Sequence, residues 1–151
     1  MLIVKILISV LGLSGFLLAS YIRHCKTKLV PLVCPVEGSC EKVVHSDYSK
    51  LFGIPLEVIG MFYYAIISLS YALFAIFPTL LPDIVSFVVM GLTAGAFFFS
   101  LYLTFVQAFF LRHWCTWCLI SASICSVIFA LVMISSRIAP QELARSIIHL
   151  F

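Results

Sequence analysis

Four long apolar stretches, separated by short or polar breaks, set the pattern of this chain. The first runs over about 2–22, LIVKILISVLGLSGFLLASYI, with Lys5 as its single charge. The second covers about 55–77, the third 84–111 and the fourth 114–134. Each approaches or exceeds the roughly 20 residues an α-helix needs to cross the hydrocarbon core of a bilayer. The pattern therefore predicts four transmembrane helices, the third long enough to tilt or to emerge among the head groups. Lys5 is placed to snorkel at the start of the first. That first stretch reads as an uncleaved helix, because FLLASYIRH offers no good small-x-small cleavage site and the run is long for a signal. PTLLPD, with Pro78 and Pro82, predicts a tight turn between the second and third helices. After the fourth, Pro140 stands at a first-turn position ahead of Leu143, Ile147 and Ile148, predicting a short interfacial helix over 140–151.

Composition agrees with a lipid solvent. Of 151 residues, 64% are hydrophobic and only 10% charged, where a soluble domain carries about a quarter charged residues. The expected fold is an all-α integral membrane protein, one domain over 1–151. It is a four-transmembrane-helix bundle with a cysteine-bearing loop and a short amphipathic helix between helices one and two. The net charge of +3 comes from scattered loop residues and forms no basic stripe with interleaved aromatics. Nucleic acid is not an expected partner.

The one long polar segment, 23–54, holds Cys25, Cys34 and Cys40. Counting helices places it on the same membrane face as the turn before the fourth span, where Arg112, His113, Cys115 and Cys118 lie. Two cysteine pairs thus share one face. Cys115 and Cys118, at i and i+3 on one helical face, stand close enough for a disulfide after modest adjustment. A helix N-terminus stabilises a thiolate, and Arg112 is expected to add to that. Cys34 and Cys40 enclose Pro35 and Gly38, a turn able to close a small disulfide ring. Such pairs can pass electrons by thiol–disulfide exchange. A CxxC beside lipid suggests a lipid-soluble oxidant.

Other readings of these residues exist. A CxxC by itself is redox-active or zinc-binding with comparable frequency, and His24, His45 and His113 lie nearby. The x5 spacing in the loop nevertheless fits structural zinc poorly, and no metal is expected. A metal-handling protein without enzymatic activity, or a bundle whose thiols are inert, are the alternatives to a redox enzyme. Cys125 reads as a packing residue and Cys25 as incidental. Gly91 and Gly95 form a GxxxG that predicts close packing inside the bundle. Gln107, polar within the third span, predicts an interhelical hydrogen bond or, more sharply, a cofactor contact.

Three stretches carry a family resemblance: CPVEGSC, then EKVVHSDYSKLFGIPLEVIGMFYY, and later CTWCLISA. Together they resemble the vitamin K epoxide reductase family, in its stand-alone bacterial form, over about 1–134. The resemblance implies four helices around a quinone, ubiquinone or menaquinone, capped by the loop. It implies a short amphipathic helix at DYSKLF that turns Tyr48, Leu51 and Phe52 toward the membrane. By the same resemblance Cys34 exchanges with a separate thioredoxin-fold thiol oxidase and Cys40 passes electrons to Cys115. Cys118 delivers them to the quinone, and Ser46 orders the loop by hydrogen bonding. Ile59, Tyr63 and Ala122 line the quinone pocket on that alignment. Animal members have an asparagine and a tyrosine where Leu56 and Ala122 stand here, so quinone reduction is expected rather than epoxide reduction. The implied function is a disulfide-generating quinone reductase.

Orientation divides two rules. The cysteine face carries Arg23, Lys26, Lys28, Lys42, Lys50 and Arg112, against Lys5, Arg137 and Arg145 opposite. Counting these would turn the cysteines toward the cytoplasm. Disulfide chemistry favours the outside, and a multi-pass cell-membrane protein with an extracytoplasmic loop is the expectation.

Overall fold

The computed structural model describes the backbone of residues 2–79 and 83–150, and the side chains of 2–79, 84–135 and 148. Its helices are α1 (Leu2–Lys28), α2 (Cys40–Val44), α3 (Leu56–Ile76), α4 (Asp83–Val106) and α5 (Thr116–Leu150). Four stretches are long and apolar enough to cross a membrane: Leu2–Thr27, Leu56–Ile76, Ile84–Leu111 and Thr116–Ser135. The expected four-helix membrane bundle is the fold. Part of the PTLLPD turn, including Pro82, lies outside the described residues. The backbone runs on as one helix to Leu150. The side chains that would place the expected interfacial helix over 140–151 are, apart from Ile148, outside the described residues.

The first helix outlasts its apolar run by six residues, through Lys28. Its buried positions explain why: Ile8, Gly12, Gly15, Ala19, Ile22 and Cys25 recur at helical spacing, so the packed face continues past residue 22. The helix ends with Leu29 in the left-handed region, φ 54°, while the Val30 N–H donates to the Cys25 carbonyl at 3.1 Å. That is a Schellman closure with leucine where glycine is usual.

α1 and α3 lie close together because α1 presents glycines. A Cβ on Gly15 would fall 2.4 Å from the ring of Tyr64. Reciprocal bonds join the pair lower down: Ser9 Oγ donates to the Ser68 carbonyl at 3.1 Å, and Ser68 Oγ to the Ser9 carbonyl at 3.0 Å. In lipid, where apolar burial gives little drive, such small-residue contacts and hydrogen bonds hold helices together. Lys5 donates to the Phe74 carbonyl at 3.3 Å, near the C-terminus of α3, where a cation is favoured. The main core joins Ile8, Tyr64, Ile67, Val89, Ile128 and Val132 from all four long helices.

The connecting loop differs locally from its sequence expectation. Its helix is α2, Cys40–Val44, ahead of DYSKLF. Asp47–Ser49 forms one 3-10 turn, and a two-stranded hairpin follows, β1 (Lys50–Leu51) against β2 (Ile54–Pro55). Phe52 (φ 51°) and Gly53 (φ 83°) make the tight turn that two positive φ angles allow. The turn ends any helix begun at Asp47. Tyr48, Leu51, Phe52 and Ile54 remain exposed, an apolar tip beside the start of α3.

Candidate functional site

The CxxC is built on a helix start. Cys115 occupies the N-cap position of α5: its carbonyl accepts from the Leu119 N–H at 3.0 Å, and its sulfur accepts from the Cys118 N–H at 3.3 Å. Sulfur here takes the place of the serine or aspartate oxygen that usually satisfies such N–H groups. The Cys118 thiol donates to the Cys115 sulfur. These donors hold the Cys115 thiol below its ordinary value, the Cys118 thiol contributing most, with the Cys118 and Trp117 N–H groups adding and burial opposing. Arg112, expected to contribute, is not among the causes. A π-helical turn over Gln107–Leu111 precedes the site and closes at Arg112, φ 51°. It brings Gln107 Oε1 to 3.4 Å from the Cys115 N–H, which donates to it.

The loop sits directly on this segment. Cys34 and Cys40 form a disulfide. The Ser39 N–H donates to the Trp114 carbonyl at 3.0 Å, and the Trp117 indole N–H to the Val33 carbonyl at 3.0 Å. A Cβ on Gly38 would meet the Trp114 carbonyl oxygen at 2.8 Å, so only glycine allows this approach. Cys40 and Cys115 are both fully buried and share one apolar cluster with Ile22, Cys25, Leu32 and Val43. Cys34 and Cys118 pack against that cluster. Ser46 Oγ donates to the Val43 carbonyl at 2.7 Å, tying the end of α2 to the following turn.

Beneath the loop a cavity of about 690 Å³ opens between α1, α3, α4 and α5. Its walls are mostly apolar, with Leu18, Ile22, Leu56, Ile59, Leu92 and Phe99 among them. Cys118 is its redox-capable edge, while Ser46, Tyr63, Gln107, Ser121 and Glu57 supply polar groups. Glu57 Oε1 pairs with Lys26 Nζ at 2.9 Å, the two side chains 8% and 14% exposed. Among the described residues, the buried side-chain polar atoms without a hydrogen-bond partner are Glu57 Oε2 and Tyr63 Oη. Both residues line this cavity. An apolar slot with a few convergent polar groups is the usual form of a small-molecule site.

The sequence-derived residues divide into two groups. Cys118, Ser46, Ile59, Tyr63 and Ala122 all line the cavity. Cys40 and Cys115 lie in the buried cluster beside it, with Cys34 packed against them. Gly91 and Gly95 differ from expectation: an added Cβ at either meets nothing within 4 Å, and both face the cavity instead of a helix. Their lack of side chains makes room. Cys125 is buried in the core, as expected of a packing residue, with Tyr64 Oη 3.3 Å from its sulfur. The Lys26–Glu57 pair was missed, although an acid inside an apolar span is by default a functional signal. Among the described residues, no three His, Cys, Asp or Glu side chains are grouped to hold a metal ion.

Comparison with known proteins adds two findings. The family model described as "Vitamin K epoxide reductase family" matches residues 6–133. A 50-residue stretch is 36% identical to the thiol-disulfide oxidoreductase LTO1 of Arabidopsis thaliana. That stretch is 32% of this chain and 13% of the plant protein, so the likeness spans a small part of the relative.

Proposed function

The chain belongs to the vitamin K epoxide reductase family, and from that premise we propose that it is a membrane thiol:quinone oxidoreductase that supports protein disulfide formation. The observation carrying this reading is the stacking of a loop disulfide, Cys34–Cys40, on a buried CxxC whose Cys118 faces an apolar cavity. A partner dithiol of thioredoxin fold attacks Cys34, releasing Cys40 as thiolate; the partner's second thiol then frees Cys34, leaving the partner oxidised. Cys40 attacks Cys115 of an oxidised CxxC, forming a Cys40–Cys115 disulfide and releasing Cys118. Cys34 attacks Cys40 and restores the loop disulfide, leaving Cys115 and Cys118 reduced.

Cys115 is poised for its part because its thiolate is stabilised by the hydrogen bonds at the helix start. Cys118, Ile59, Tyr63 and Ala122 would hold the quinone, ubiquinone or menaquinone. Bound there, a quinone supplies an acceptor for two electrons and two protons. Ser46 keeps α2 and its Cys40 in register over Cys115. We place the loop outside the cytoplasm. Disulfide formation is favoured on that side.

The test is anaerobic turnover with dithiothreitol and a short-chain quinone, followed by quinone absorbance. Cys118→Ala is expected to abolish it. Cys34→Ala is expected to spare turnover with dithiothreitol and stop turnover with a thioredoxin-fold protein. Equal loss with both donors would overturn the division of roles, and unchanged activity in Cys118→Ala would favour an inert bundle.

A further inference from the structure

The CxxC described above cannot close its disulfide without losing a proton. In the reduced pair the Cys118 thiol donates to the Cys115 sulfur. Forming the S–S bond removes that hydrogen and sends two electrons to the acceptor. Burial puts Cys115 out of reach of solvent, and the Cys118 side of the pair faces the cavity. The proton's way out therefore passes the cavity wall.

Glu57 is the one acid among the described residues of that wall. Its side chain is 8% exposed. One carboxylate oxygen is held by Lys26 at 2.9 Å, and the other, Oε2, is buried with no partner. Cys118 lines the same cavity. A purely structural ion pair satisfies its remaining lone pairs with further hydrogen bonds, since a buried acceptor left bare is destabilising. Here Glu57 lines the cavity with one carboxylate oxygen unpartnered, while Lys26, itself anchored by Ser49 Oγ at 3.2 Å, pairs with the other.

We propose that Glu57 is the proton relay of the cavity: Oε2 takes up the proton that Cys118 gives to the cavity as the Cys115–Cys118 disulfide closes, and would pass it to a quinone bound there. The proposal rests on the quinone-reductase reading. The balance is complete. Two sulfurs lose two electrons and form one S–S bond. One thiol proton reaches the ring through Glu57. The second comes from solvent, replacing the one Cys115 gave up on ionising. Glu57 returns to a carboxylate paired with Lys26.

The relay makes a binding prediction independent of turnover. A carboxylate only accepts hydrogen bonds, so it favours the hydroxyl of a quinol over the carbonyl of a quinone. Binding of a short-chain ubiquinone and of the redox-inert monomethyl ether of its quinol is measured by titration calorimetry on Glu57→Gln and wild type. We expect the ether to bind about tenfold more weakly to the variant, as loss of a charge-assisted bond implies, and the quinone to change by less than about threefold. Dithiothreitol-driven quinone reduction is expected to fall by about a hundredfold in kcat, the usual scale for a lost acid–base group, with a larger solvent deuterium isotope effect.

The double variant Lys26→Met/Glu57→Gln removes the stranded buried cation and guards against a folding defect. It is expected to show the same losses. Wild-type kcat and wild-type ether binding in Glu57→Gln, or recovery of both in the double variant, would overturn the relay while leaving the quinone reading intact. A wild type that reduces no quinone would overturn the reading itself and the relay with it.

Discussion

Cys115 shows how little separates a helix cap from a redox centre. At an N-cap, serine, threonine, aspartate and asparagine are usual, because an acceptor must meet the free N–H groups of the first turn. A cysteine there puts sulfur against the same donors, and they favour its thiolate. The largest contributor is the Cys118 thiol. Replacing it in Cys118→Ala removes a donor that stabilises the charged form, so the Cys115 value must rise. At a pH below the ordinary thiol range, less of Cys115 will be thiolate than in the wild type. Ultraviolet thiolate absorbance against pH measures this, taking each protein minus its Cys115→Ala counterpart. An unmoved or lowered midpoint would mean that the helix N–H groups alone set the value.

At the scale of elements, α1 and α3 meet through absent side chains. Gly15 leaves the space that the Tyr64 ring fills, and Tyr64 Oη in turn bonds Ser121 Oγ at 2.8 Å, linking α3 to α5. Gly15→Ala places a methyl where the ring stands, and overpacking of this kind costs about 1–3 kcal/mol. The expected result is a lower unfolding temperature in detergent, whereas Gly91→Ala, whose Cβ meets nothing within 4 Å, should leave it unchanged. Equal temperatures for the two variants would mean that Tyr64 can swing aside without loss. Sequence alone makes these glycines look alike, and even favours Gly91 and Gly95 as the packed pair because they form a GxxxG. What distinguishes them is which helix happens to pass opposite.

Across the whole molecule, two layers emerge: a buried sulfur cluster under the loop and an apolar cavity below it, with Cys118 at their junction. The cavity exists because α4 turns Gly91 and Gly95 toward it. Gly91→Leu should fill part of that space and weaken short-chain quinone binding about tenfold or more, with the unfolding temperature unchanged or raised. Calorimetric titration and a thermal scan read the two quantities separately. Undiminished quinone affinity would place the ligand elsewhere in the cavity.

The chain's own residues determined the membrane class, the four spans and the shared face of the two cysteine pairs. These depend on local quantities, runs of apolar residues and the parity of helices, that need no partner to be legible. Ile59, Tyr63 and Ala122, named by the resemblance as pocket residues, line the cavity, and so does Ser46, expected to order the loop. The reach of α1 to Lys28, the hairpin in place of a helix at DYSKLF, the glycines that open the cavity and the Lys26–Glu57 pair were decided only in three dimensions. Each depends on what lies across a gap from a residue far away in sequence. Lys26 and Glu57 are 31 positions apart, and no periodicity on either helix records that their side chains meet.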